Sequence, residues 1–278
     1  MKRRPCATLP GLLVALALLL FPAAARADDE TAALFASGTA ALKDGRPGDA
    51  IASLEALADR GVVDPVASYD RGLAYAMRAR IGAETPGDLG RAAHGFEEAR
   101  EISRDPRLVD DASRGLSVIR SEVARRRVRA GEPVEVDPGR SLPRALAGLL
   151  AEDAWSAIAV AASAALAACL FVRGRTSARR ARVAAGVGAG IAAPVLAMAV
   201  AMTLAARHDR THLREAVIVV ASARPIDERG ITVPGATPLP EGARVEVVEA
   251  RGGWSRVRFG TIEARLAASA LRELARAE

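Results

Sequence analysis

Cysteine and histidine are scarce: the 278 residues hold two of the first and three of the second. Cys6 precedes an apolar N-terminal stretch and Cys169 lies inside a long uncharged run. A mature chain therefore has neither an intrachain disulfide nor a thiolate metal cluster open to it. His208 and His212 stand four apart, as two ligands on one helix face would. With no glutamate in a His-Glu-x-x-His arrangement and no third ligand, they give no metal site. Residues 213–278 contain no histidine, so the nucleophile–base pair of a cell-wall hydrolase cannot be assembled there. A glycine-rich phosphate loop is also missing. These gaps exclude the common enzyme classes and imply no cofactor. The adjacent carboxylates Glu97-Glu98 and Asp110-Asp111 are expected on solvated helix faces.

Acid is missing where it matters most for topology. The net charge of +6 suggests a nucleic-acid binder until it is divided. Residues 1–27 carry Lys2, Arg3, Arg4 and Arg26 and no acid, so without them the charge is +2. Residues 28–119 hold 11 basic and 17 acidic side chains, a net of −6. Five arginines and no acid lie in 173–182. The basicity is targeting and topology signal, and no phosphate-binding face for nucleic acid remains.

Those arginines separate two runs with no charge at all, 19 residues from Ala154 to Val172 and 24 from Val183 to Ala206. At ~1.5 Å per residue each run can cross a hydrocarbon layer of ~30 Å. Buried helices of a soluble bundle would carry a polar stripe on the solvent side. The expectation is a transmembrane hairpin, 154–172 and 183–206, with a cytoplasmic turn at 173–182. Gly186 and Gly190 form a small-xxx-small pair, used to pack either against the first membrane helix or against another protein's helix. Pro194 predicts a kink.

Before the hairpin, residues 1–27 read as a signal peptide. A charged start is followed by the apolar stretch Leu9 to Phe21 and the cleavage-like Ala25-Arg-Ala27. Both folded ends of the chain would then lie in the periplasm. Residues 28–129 read as paired helices. Gly38, Ala50, Leu54 and Leu57 are spaced 12, 4 and 3 apart, and Gly72, Ala92, Phe96 and Ala99 are spaced 20, 4 and 3. Small residues let paired helices approach, and the larger ones fill the gap. Asp64-Pro65 and Asp105-Pro106 are read as stops at the end of each unit. The excess length falls at 81–88, between helices. A last helix near 109–127 caps the array, with Arg125, Arg126, Arg127 and Arg129 at its solvated end. Residues 130–153, with three prolines, form a linker.

After the hairpin, 213–278 predicts a small all-β barrel. Ala216–Ser222, Ala243–Glu249, Trp254–Phe259 and Thr261–Leu266 are strands, and a segment near Leu271–Leu274 closes it. Arg251-Gly252-Gly253 is a hairpin turn.

The helix pairs resemble tetratricopeptide (TPR) repeats. Glu241-Gly242, Val245-x-Val247, Gly253-Trp254 and Val257 resemble bacterial SH3-like domains. The order signal, short TPR array, two membrane helices, SH3-like barrel resembles the BatE-like proteins of bacterial aerotolerance (Bat) operons. Ser68-Tyr-Asp-Arg-Gly-Leu-Ala-Tyr75 and Gly90-Arg-Ala-Ala-His-Gly-Phe-Glu-Glu-Ala99 match that family's repeat text, as does Ala216-Val-Ile-Val at the start of the barrel. The resemblance implies a non-enzymatic scaffold of the inner membrane. Its implied partners are von Willebrand A-domain membrane proteins and a MoxR-type ATPase complex. Aligning the repeats places Phe35, Thr39, Lys43, Tyr69, Leu73 and Met77 on a partner-binding groove, where Phe35 and Tyr69 either meet the partner or pack between helices. The alternative function is peptidoglycan binding by the SH3-like domain. Trp254 is either its ligand contact or a structural tryptophan.

Overall fold

The computed structural model describes residues 29–133, 149–150, 152–212 and 214–275. The expected signal segment and most of the expected linker lie outside these residues.

Five helices come first: α1 (residues 29–43), α2 (Pro47–Asp59), α3 (Pro65–Arg80), α4 (Asp88–Ile102) and α5 (Pro106–Ala130). α1 pairs with α2 and α3 with α4, and α5 closes the row. The Asp-Pro pairs do the opposite of what the sequence suggests. Asp64 accepts from the N–H groups of Val66 and Ala67, and Asp105 from that of Arg107. Each therefore caps the start of the next helix, with proline in the first turn, where its missing N–H goes unneeded. The preceding helices have already ended, at Asp59 and Ile102.

The small residues sit where helices touch. A Cβ on Gly95 would lie 2.6 Å from both the Gly72 nitrogen and the Ser68 carbonyl oxygen. Phe96 lodges between Gly72 and Gly115, its ring 5.5 Å from that of Tyr69. Leu54, Leu89 and Leu116 are fully buried in the same core, each contributing about 1.5–3 kcal/mol of apolar burial. All eight small and large residues picked out by spacing are buried.

Two long apolar helices follow, α6 (Glu152–Arg175) and α7 (Arg179–His212), with mean hydropathies of 2.1 and 2.0 over their most apolar windows. Both are long and apolar enough to cross a membrane. They pack antiparallel through small residues, with Ala162, Ala185 and Ala199 buried between them. The bulky side chains point away: Val160, Phe171, Val187, Ile191, Met198 and Leu204 are all exposed. Small residues thus line the contact between the two helices and bulky apolar ones lie outside it. Pro194 lies within α7.

The C-terminal part is a five-stranded antiparallel sheet: β1 (Arg214–Ile218), β2 (Arg244–Arg251), β3 (Trp254–Phe259), β4 (Ile262–Ala267) and β5 (Leu271–Glu273), in the order β4-β3-β2-β1-β5. A bulge interrupts β2 between Val247 and Glu249. β1 is shorter than the expected 216–222, because the chain leaves the ladder after Ile218. Ala216 and Ile218 point into the sheet's own core with Val245, Val257, Phe259 and Leu266. Val217, on the opposite face, belongs to the core of the helices. The sheet is thus packed onto the helical array, and the expected separate domains share a buried boundary.

These contacts predict opposite outcomes for two glycines. Gly95→Ala should destabilise the array by about 1–3 kcal/mol through overpacking. Gly48→Ala, at an α2 position with nothing within 4 Å, should stabilise it by about 0.4–1 kcal/mol. Thermal unfolding of the detergent-solubilised variants reads both.

Candidate functional site

The expected partner-binding face lies on α1 and α3. Phe35, Thr39 and Lys43 recur at four-residue steps on α1, and Tyr69, Leu73 and Met77 do so on α3. That spacing keeps each trio on one side of its helix. The Thr39 hydroxyl donates to Asp70 at 3.0 Å and ties the two helices together. Phe35, Tyr69, Leu73 and Met77 are half-buried, each packed against the helical core on one side. Lys43 is exposed. Burial pushes the Asp70 carboxyl above its ordinary range, against the pull of Thr39 and Lys43. The Tyr69 hydroxyl is also raised, by burial and by the charges of Asp111 and Asp70. The face therefore offers two aromatic rings, a thioether and one further apolar side chain beside one cation. Such a strip suits a peptide segment with apolar anchors and an acidic group, and it contains no arranged nucleophile and base.

The opposite side of the array is closed. Every residue of α4 from Asp88 to Ala99 is buried except Arg91, which is half-buried. α3 and α5 cover one side of it and β1 with its flanking loops covers the other. The α4 N-cap, Gly87, has no side chain to satisfy the first-turn N–H groups. Glu241, preceding β2, supplies the missing acceptor: the Gly90 N–H donates to its Oε1 at 2.8 Å. A carboxylate at a helix N-terminus is favoured by both the hydrogen bond and the helix dipole. Burial nevertheless holds the Glu241 pKa above its ordinary value, with the Gly90 N–H pulling the other way. The approach is close enough that a Cβ on Gly90 would lie 2.5 Å from the Ile218 carbonyl oxygen. Gly242, at φ +72°, faces the Ala93 side chain. The Glu241-Gly242 pair that carries the SH3-like resemblance is thus spent on docking to the helices.

Glu97 and Glu98 do not lie on a solvated face. Glu97 is wholly buried and accepts from Arg100 at 2.5 Å, Arg120 at 2.8 Å and Arg244 of β2 at 3.1 Å. Arg244 also holds Glu101 and Glu215. Glu98 accepts from Ser68 at 2.7 Å and Arg71 at 2.6 Å. His94 lies between the layers. Its Nδ1 is 3.3 Å from an Arg71 nitrogen, and its Nε2 is 3.0 Å from the Glu273 carbonyl oxygen. Guanidinium can only donate and a carbonyl can only accept. The imidazole is therefore neutral, with its proton on Nε2. Burial depresses its pKa from 6.5 to about 4. Farther along, Arg272 of β5 reaches Glu55 of α2 at 2.9 Å. Arg127, expected at a solvated helix end, is buried and donates to the Pro133 and Pro238 carbonyls at 2.6 and 3.2 Å. One signal in the sequence could have marked α4: Gly90, Ala92, Ala93, Gly95 and Ala99 put small residues around its whole circumference.

The remaining expected site residues are spread out. Trp254, at the start of β3, stacks under the Arg265 guanidinium at 4.0 Å. It lines a cavity of about 280 Å³ with Val247, Ser255, Leu271 and Glu273. In the hairpin, a Cβ on Gly188 would meet Cys169 at 2.8 Å, so Gly188 packs against α6. Gly186 touches only the Arg173 side chain, and Gly190 has nothing within 4 Å. The Gly186/Gly190 pair is therefore mostly turned away from α6. Among the described residues no group of three His, Cys, Asp or Glu side chains could hold a metal ion.

The docking network predicts a distinct mutational and pH behaviour. Glu241→Ala leaves the Gly90 N–H unpaired and should cost about 1–2 kcal/mol. Glu241→Gln keeps an acceptor, sheds the desolvated charge and should lose less. For His94, the unfolded chain takes up a proton near pH 6.5 but the folded one only near 4. The unfolded state therefore binds more protons in that interval, and stability falls as pH drops through it, by on the order of 3 kcal/mol. Melts of wild type and His94→Gln between pH 7.5 and 4.5 should show the variant losing this part of the slope.

Comparison with protein-family models, with curated proteins and with solved structures finds no match to this chain.

Proposed function

We propose that this chain is a non-enzymatic scaffold of the bacterial envelope, anchored by α6 and α7 in the cytoplasmic membrane, that grips partner proteins along the inner face of α1 and α3. In this reading the helix pairs are TPR repeats, the sheet is an SH3-like domain, and the whole is BatE-like. The partners are then von Willebrand A-domain membrane proteins working with a MoxR-type ATPase. The observation that carries the reading is the unequal treatment of the two sides of the array. The α4 side is sealed by the sheet, whereas the inner side leaves Tyr69, Leu73 and Met77 half-exposed beside Lys43. Half-buried aromatic and thioether groups around one charge are the composition of an interface centre. The five arginines of 173–182, at the end of α6 and the start of α7, support a cytoplasmic turn with both folded parts in the periplasm.

A second reading rests on the Trp254 cavity, which would take a peptidoglycan peptide. Because Val217 of β1 is part of the helical core, the test is retention of the full detergent-solubilised chain on purified peptidoglycan. No retention removes this reading.

For the scaffold reading, co-expressed A-domain proteins should co-purify with the detergent-solubilised chain. Lys43→Glu with Tyr69→Ala should weaken capture about tenfold or more. Tyr69 also packs on Phe96, so Lys43→Glu alone, at an exposed position, separates lost binding from lost folding. Equal capture by a variant that melts like its parent excludes the inner face. Reporters fused at residue 130 and at the C-terminus should be active in the periplasm. Cytosolic activity overturns the topology.

A further inference from the structure

The last membrane-length helix runs almost directly into the sheet. α7 ends at His212 and β1 begins at Arg214. The uncharged run of α7 ends at Ala206, and residues 207–212 continue the helix. Those six residues extend only ~9 Å at ~1.5 Å each, against a headgroup layer of roughly 5–8 Å on each side of the hydrocarbon. The first residue of β1 thus enters the sheet at the outer edge of the headgroups.

β1 runs away from that point, and its neighbour β2 runs back toward it. Arg214 pairs with Val247, and β2 continues from there to Arg251. Four further residues at ~3.3 Å each extend past the start of β1 by about 13 Å. What lies at that end is the β2–β3 hairpin, Arg251-Gly252-Gly253-Trp254, together with the last residues of β4, because Trp254 pairs with Ala267. That overhang is comparable to the ~9 Å of α7 that projects from the hydrocarbon, so with β1 continuing outward from α7 the hairpin tip lies back at headgroup level.

The chemistry of the tip fits that location. Trp254 lies under Arg265 at 4.0 Å. The Arg251 side chain is 75% exposed and shares the carboxylate of Glu249 with Arg256, at 2.7 and 2.8 Å. Two guanidiniums on one carboxylate leave positive charge at the tip. Tryptophan and arginine are the side chains that settle at a membrane–water interface, with the ring at headgroup depth and the guanidinium on phosphate. We propose that the β2–β3 hairpin of the sheet is a second membrane contact, its Trp254–Arg265 stack and Arg251 seated among anionic phospholipid headgroups. The contact rests on the reading of α6 and α7 as membrane helices. It fixes the sheet, and the α4 layer packed on it, against the bilayer, and it turns the Trp254 end away from the cell wall.

The chain has two tryptophans, which makes the test direct. Full-length Trp155→Phe protein, reconstituted in vesicles of phosphatidylglycerol and phosphatidylethanolamine, reports Trp254 alone. Trp254→Phe protein reports Trp155, at the first turn of α6. Nitroxide labels at shallow and deep positions of the lipid chain then quench by depth. Trp254 emission should be lost strongly with the shallow label and weakly with the deep one. Arg251→Glu with Arg265→Glu should reduce the shallow quenching. If Trp155 is quenched and Trp254 is not, the hairpin contact is wrong while the membrane helices stand. If neither is quenched, the membrane reading itself fails. Quenching unchanged by the double charge reversal overturns the headgroup pairing. A shift of Trp254 emission by soluble muropeptides, without lipid quenching, overturns the proposal in favour of wall binding.

Discussion

A helix covered on both sides is the constraint on which the extramembrane structure depends. α4 touches α3 and α5 with one side and β1 with the other, so side-chain volume is limited all round. Gly90, Gly95, Ala92, Ala93 and Ala99 meet that limit. The helix still carries Asp88, His94, Glu97 and Glu98, and each is buried. Burying a carboxylate without partners would be prohibitive, and burying one with several guanidiniums and hydroxyls is tolerable only with good geometry. Asp88 is held by Arg78 at 2.6 and 2.8 Å and by Thr85 at 2.7 and 2.9 Å. Glu97 and Glu98 are held as closely. The net gain from such buried pairs is small, but removing either partner strands a buried charge and is strongly destabilising.

The same packing joins the parts of the chain mechanically. β1 is buried on both faces, one into the sheet and one into the helices, and only residue 213 separates it from α7. The membrane-length hairpin, the sheet and the helical array are thus connected through one central strand and one central helix. The sheet and the helical array form one packed body through α4 and β1.

Local patterning was legible wherever an element's environment is set by its own periodicity. The two uncharged runs, the Gly/Ala/Leu/Phe spacing of the helix pairs, the turn at 81–88 and the strand alternation around Arg251-Gly252-Gly253 all correspond to elements in the structure. The Asp-Pro pairs mark helix boundaries in the sequence but belong to the following helix; proline ends one helix and opens the next with equal economy of signal. Only the Asp side-chain bonds to the following N–H groups decide between them.

What the sequence by itself determined is the list of parts and their order, because helix, strand and membrane-length patterns arise from residues within a few positions of each other. What only the tertiary structure decided is which polar residues are interior. Glu97 meets Arg244 across 147 positions, His94 meets Glu273 across 179, and Gly90 meets Glu241 across 151. Nothing in the 3.6-residue period of α4 announces a sheet that arrives so much later in the chain. A charge reads as a solvent mark until the layer that covers it is in place.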